Sequence, residues 1–136
     1  MARITIDLPD RYSFQTEVTV RTTDLNYGGH LGNDSMLSLI HEARVQFLAS
    51  RGATERDVYG TRIVLGDAAI VYRAEAFAGD VLRFEVAARD IARVGCDLVY
   101  YVTRDQAPVA HAKTGIVFLD PKSKRPVAVP EQVHEW

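Results

Sequence analysis

Between Asp24 and Asp34 the chain gathers Asp24, Asn26, His30, Asn33 and Asp34, spaced among Gly28, Gly29 and Gly32. No other window concentrates so much reactive chemistry. Carboxylate, imidazole and carboxamide side chains together can hold a polarised group or move protons. The glycines let backbone N–H groups approach a ligand with no side chain in the way. An apolar run follows at once, so the loop feeds a helix N-terminus, where N–H donors are unsatisfied and carry partial positive charge. The chemistry this suits is the cradling of an anion or of a carbonyl.

The flanking sequence must hold that loop in place. Phe14, Thr16, Val18 and Val20 alternate with Gln15, Glu17, Thr19 and Arg21, which predicts a strand with one wet face. After the loop, Asn33 or Asp34 is the natural N-cap of a helix. Met36, Leu37, Leu39, Ile40, Ala43, Val45, Phe47, Leu48 and Ala49 lie nearly all round that helix, so it should be buried on most sides. Gly52 stops it. Residues 53–60 are polar, with room for one short turn. Residues 61–76, rich in Ile, Val and Tyr, read as strand, and Ala78-Gly79-Asp80 as a tight turn. In residues 81–91, Leu82, Phe84, Val86 and Ala88 share one face. Residues 96–104 follow, with Leu98, Tyr100 and Val102 together, and Val109 to Leu119 is the last long strand. Residues 124–136, with Pro126 and Pro130, read as a tail. The sum is one strand, one helix and four strands in an antiparallel meander, because tight turns join antiparallel neighbours. One sheet must bury the helix, so the class is α+β.

At 136 residues the chain suits a single domain, 1–136, with a real core. A net charge of -2 gives no electrostatic case for nucleic acid. Cys96 is the sole cysteine, so neither an internal disulfide nor a zinc cluster is available. No apolar run approaches the ~20 residues of a membrane-spanning helix. The first residues lack the apolar stretch of a signal peptide, so the expected location is the cytoplasm, with no membrane partner.

The order strand, Gly-rich loop, helix, strands resembles the hotdog fold. The motif resembles the acyl-CoA thioesterase branch typified by 4-hydroxybenzoyl-CoA thioesterase. The residues that carry this are Asp24-Leu25-Asn26-Tyr27-Gly28-Gly29-His30-Leu31-Gly32-Asn33, then Glu42-Ala43-Arg44 on the helix, Ala78-Gly79-Asp80, and Lys124-Arg125-Pro126 with Val129-Pro130. The resemblance implies an antiparallel, curved sheet of five to six strands wrapped around one long central helix. It also implies thioester hydrolysis to free acid and CoA, without metal or cofactor beyond the coenzyme A of the substrate. The implied assembly is a homodimer with active sites at the interface, with pairing of dimers into a homotetramer left open. One departure stands out. Where many members carry a second Asp as nucleophile or general base, this chain has Asn26, and an amide neither takes a proton nor attacks as a carboxylate does.

Hydrolysis of a thioester requires a polarised carbonyl, an activated water or nucleophile, and a slot for the acyl-pantetheine arm. By resemblance the Asn33 N–H polarises the carbonyl, a role worth about 3 kcal/mol per donor in known hydrolases. For the base, His30 is either a proton carrier or a clamp of its loop, and Asn26 holds water or carbonyl or simply serves the turn. Asp24 matches the family's first Asp, which is not usually credited with the chemistry. His41 and Glu42 sit on an otherwise apolar helix, so each needs a reason. His41 lies eight residues past Asn33, about 12 Å along the axis. It would therefore serve the site of a second copy, or else be a satisfied core or interface histidine. Asp67 interrupts an apolar strand and is either a contributor to that interface or a strand-edge charge at a bulge. For the arm, Tyr27 and the glycines Gly28, Gly29 and Gly32 line the loop, and Arg93, Lys122 and Arg125 are candidates for the phosphates or ordinary surface charges. Two other readings use the same fold. An enoyl-CoA hydratase or dehydratase would use Asp24 and His30, whose spacing is one residue too long here. A non-catalytic acyl-thioester-binding protein would have lost its base at Asn26.

Overall fold

The computed structural model describes residues 1–136. Its elements are strand β1 (Phe14–Thr19), helix α1 (Asn33–Ser50) and strands β2 (Arg62–Tyr72), β3 (Val81–Arg89), β4 (Gly95–Arg104) and β5 (Ala107–Leu119). Short 3-10 turns occupy Thr22–Asp24 and Glu131–Glu135. The strands form one antiparallel sheet that curves around α1, the hotdog arrangement.

The alternating residues behave as their spacing requires. Leu82, Phe84 and Val86 of β3, Leu98, Tyr100 and Val102 of β4, and Ala110, Ala112, Ile116 and Phe118 of β5 all face inward and are buried. Met36, Leu39, Ile40, Ala43, Phe47 and Leu48 of α1 meet them in one core. α1 ends where Gly52 takes φ +71, a conformation that glycine enters without strain, with Gly52 N–H donating to Ala49 O at 3.0 Å.

Three expectations are corrected. The four later strands are not a plain meander, since the sheet order is β1-β3-β4-β5-β2. Only β3, β4 and β5 run hairpin to hairpin, and β2 pairs with β5 at the far edge. Arg73 N–H and Ala74 N–H still donate to Val109 O, at 2.8 and 3.2 Å, whereas Gly79 N–H donates to Val20 O at 2.8 Å. Between residues 74 and 79 the chain therefore crosses from the β5 side to the β1 side. A tight turn at Gly79 looks the same in sequence whether or not its flanking strands pair with each other.

Nor is residues 124–136 a loose tail. Val133 is fully buried, and the Trp136 ring meets Phe47 edge-on at 5.2 Å and Phe118 at 6.4 Å, closing the open end of the core. Finally, α1 is not covered all round. Leu37 and Val45 remain 45% and 43% exposed, with His41 between them. Positions four apart share a helix face, so these three make one bare stripe. Beside it the outer edge of β2 has no strand partner, and Val64 and Leu65 are exposed there.

Candidate active site

The Gly-rich loop is tied to itself before it reaches the helix. Asn26 N–H donates to His30 O at 2.9 Å, Gly29 N–H to Asn26 O at 3.0 Å, and Gly28 N–H to Asn26 Oδ1 at 3.0 Å. Gly29 sits at φ +85, where a side chain would be strained. Asn26 is thus a turn residue whose side chain accepts from its own loop. Tyr27 stands fully exposed at the tip. Asp24 is buried beneath and accepts from Arg21 N–H at 2.8 Å and from the Arg21 guanidinium at 3.3 Å. Burial alone would raise the Asp24 carboxyl, but the Arg21 N–H and guanidinium outweigh it and hold the group below the usual carboxylate range. It is a structural anchor.

The helix start differs from the sequence expectation. Gly32 is the N-cap, with φ -65 and ψ 145, and Asn33 is the first helical residue. No side chain caps the helix. Gly32 N–H is taken by Asp24 O at 3.0 Å, and the first intrahelical bond runs from Met36 N–H to Gly32 O at 3.1 Å. The N–H groups of Asn33, Asp34 and Ser35 therefore donate to nothing in the chain. Of these three residues, Asn33 lines a cleft of about 270 Å³ walled by His30, Leu31, Gly32, Met36, Tyr72, Ala74, Glu75 and Ala76.

The far wall comes from the end of β2 and from the segment that crosses the sheet. Leu31 N–H donates to Ala76 O at 2.7 Å and fastens loop to crossing segment. Tyr72 Oη–H donates to Asn33 O at 2.7 Å and pins the first helical turn. Arg104 donates to Glu75 O at 2.9 Å and to the Asp80 carboxylate at 2.7 Å. These bonds set Glu75 opposite His30, with Oε1 3.6 Å from Nε2, while His30 Nδ1 lies 3.3 Å from Leu31 O. The His30 ring thus stands between Leu31 O and Glu75 and clamps the loop.

The other sequence candidates lie elsewhere. His41 bonds through Nε2 to Glu55 Oε1 at 2.6 Å. Glu42 accepts from Gln46 at 3.0 Å on the exposed side of α1. Asp67 follows a register shift in β2 and accepts from Lys113 Nζ at 2.7 Å and Gly115 N–H at 3.0 Å. The Lys113 ammonium beside it lowers its carboxyl. Lys113 alternates with the buried Ala112 and Thr114, so Asp67 is engaged on the sheet face turned away from α1. Arg93 O accepts from Val129 N–H and Arg125 O from Asp120 N–H, next to the Leu119–Pro126 bridge. That is the Arg62 end of β2, whereas the cleft is at the Tyr72 end. One chain thus brings together His30, Gly32 and Asn33, and does not bring Asp67, Arg93 or Arg125 to them. Burial, with Asp97 adding to it, pushes the Cys96 thiol up to about 12, so it is no nucleophile. Tyr72 and Glu75 carry no sequence signal for their role, because only the pairing of β2 with β5 brings the first to the helix start and only the crossing segment delivers the second.

Comparison with known proteins agrees with this architecture. The model of the thioesterase-like superfamily matches residues 20–136. The 1,4-dihydroxy-2-naphthoyl-CoA hydrolase of Synechococcus elongatus is 25% identical over 127 residues, covering 90% of this chain and 93% of that protein. Among solved structures, a hypothetical protein of Aquifex aeolicus aligns at a TM-score of 0.81 with 25% identity, over 90% of this chain and 97% of that one. The 1,4-dihydroxy-2-naphthoyl-CoA thioesterase of Synechocystis aligns at 0.79 with 20% identity, over 90% and 92%, a likeness of fold. No helix is long and apolar enough to cross a membrane.

Proposed function

The chain belongs to the thioesterase-like superfamily and is a thioester hydrolase, and we propose that it cleaves an acyl-CoA to the free acid and coenzyme A. The observation that carries this reading is the unpartnered N–H of Asn33 at the start of α1, on a residue that lines a cleft with apolar walls at Leu31, Met36, Ala74 and Ala76. A preset N–H at a helix start needs no reorganisation when the thioester carbonyl becomes an oxyanion. Water adds to the carbonyl carbon while a base takes one of its protons. The tetrahedral intermediate then collapses, the C–S bond breaks, the electron pair leaves on sulfur, and the base returns the proton to it.

Asn26, Asp24 and His30 are committed to the loop, and the one carboxylate on the cleft, Glu75, faces the His30 imidazole. The proposed base is His41 of a second copy. A free β2 edge invites pairing with another strand, and the stripe Leu37, His41, Val45 beside it is apolar around its one imidazole. Two chains joined there form a homodimer in which each helix offers its middle to its neighbour's helix start. The reading needs no metal and no cofactor beyond the substrate's own coenzyme A. The cytoplasm, a reducing compartment that suits a lone thiol, remains the proposed location.

Thiol release from a panel of short-, medium-chain and aromatic acyl-CoAs tests the activity, and no turnover above background on any of them would overturn it. His41→Ala should cost about 100-fold or more in kcat, the usual worth of a general base, and Glu75→Gln less than about 10-fold. The reverse ranking would move the base to Glu75.

A further inference from the structure

The loop between α1 and β2 has a use that its polar sequence does not announce. Ile63 N–H donates to Glu55 O at 3.1 Å, and Thr54 and Asp57 bridge each other, so the loop folds back along the helix. Glu55 thereby reaches two residues of α1 at once. Its Oε2 accepts from Arg44 Nε at 3.2 Å, and its Oε1 accepts from His41 Nε2 at 2.6 Å. Arg44 is only 4% exposed and its charge acts on the buried Tyr100, whose hydroxyl bonds Thr114 Oγ1 at 2.8 Å. A guanidinium so buried requires a fixed partner, and that need immobilises the Glu55 carboxylate. The groove alongside is lined by Leu37, Ser38, Ile40, Leu65 and Thr114, so β2 and β5 bring no charge to His41 there, and Glu55 and Arg44 are the charged groups that face it.

We propose that Glu55 is the positioning residue of the base: anchored by Arg44, it fixes the ring of His41 and selects its tautomer. This rests on the reading of His41 as the base. A carboxylate only accepts, so Nε2 carries the hydrogen and Nδ1 keeps its lone pair. Nδ1 is then the atom that takes the proton from water and hands it to the departing sulfur. While the imidazolium exists, Glu55 balances its charge, as the buried carboxylate does for the histidine of serine hydrolases.

The test is a double-mutant comparison on the full chain, read as kcat and KM for thiol release from an acyl-CoA that the enzyme turns over. Glu55→Gln keeps an oxygen for Arg44 yet removes the charge. It should lower kcat about 10- to 100-fold with KM within about 2-fold, and Glu55→Asp should recover most of the loss. In a His41→Ala background, Glu55→Gln should change the residual rate by less than about 2-fold, because groups that act as a unit are not additive. An equal loss in both backgrounds, or no loss in the His41 enzyme, overturns the proposal while leaving His41 as base. Full activity in His41→Ala overturns the base reading and this proposal with it. Should Glu55→Gln fail to fold, the ring nitrogen NMR signals of His41 in the unmodified protein decide: the Nε2–H tautomer is expected, and Nδ1–H sinks the proposal.

Discussion

Replacing Asn33 by proline removes a single proton donor and little else. Asn33 is the first residue of α1, and its N–H has no partner in the chain. Proline is favoured at that position, since its missing N–H was an orphan and its fixed φ suits the helix. The preceding residue must be extended, and Gly32 already is, at φ -65 and ψ 145. The Asn33 carbonyl that holds the Tyr72 hydroxyl is retained. Folding stability should therefore change by less than about 1 kcal/mol, whereas the same residue inside a helix would cost ~3 kcal/mol or more. Loss of one oxyanion donor should lower kcat about 100- to 1000-fold, equivalent to about 2.7–4 kcal/mol. Asn33→Ala is the control, because it deletes the side chain and keeps the N–H, and it should stay within a few-fold of the parent. The assay is initial-rate thiol release, paired with thermal unfolding followed by circular dichroism. A folded Asn33→Pro enzyme within about 3-fold of Asn33→Ala would refute the claim that this N–H polarises the carbonyl.

Other perturbations probe the frame around that donor. Leu37→Glu places a charge on the bare stripe of α1, and light scattering should show a species near the 15.2 kDa of one chain, with hydrolysis lost. A monomer of full activity would exclude a base supplied by a second copy. Asp24→Asn should cost about 2 kcal/mol in urea unfolding at neutral pH, the worth of charge-assisted bonds to a buried carboxylate. The pH dependence follows from carboxyls held low in the folded state, Asp24 by Arg21 against its burial and Asp80 by the Phe77 N–H and Arg104. Their contribution is complete above the unfolded value near 4 and disappears as pH falls through the lower folded value. Stability should thus fall below about pH 4 and fall less steeply in Asp80→Asn, so parallel curves would contradict the assignment. Trp136→Ala should cost about 3 kcal/mol by opening the core beside Phe47 and Phe118, and a change under about 0.5 kcal/mol would show that the last turn does not close it.

What depends on neighbours a few residues away is already legible along the chain. Leu82, Phe84 and Val86 face inward because a strand alternates every second residue, and the helix stops at Gly52 because few other residues enter left-handed φ cheaply. The crowding of Gly28, Gly29, His30, Gly32 and Asn33 before an apolar run marked the carbonyl cradle for the same local reason. Whatever depends on which distant segments meet is set by the folded chain. β2 left the meander for the β5 edge because its pairing is long-range and a tight turn does not encode it. Asn26 suits several roles in sequence, and the fold turns its side chain into its own turn. Glu75 reaches His30, and Glu55 reaches His41 across fourteen positions, only through the crossing segment and a folded-back loop. Leu37 and Val45 look like core residues in sequence, since hydrophobicity records that a face is buried without recording by what. Only the folded chain leaves that stripe bare beside an unpaired strand edge.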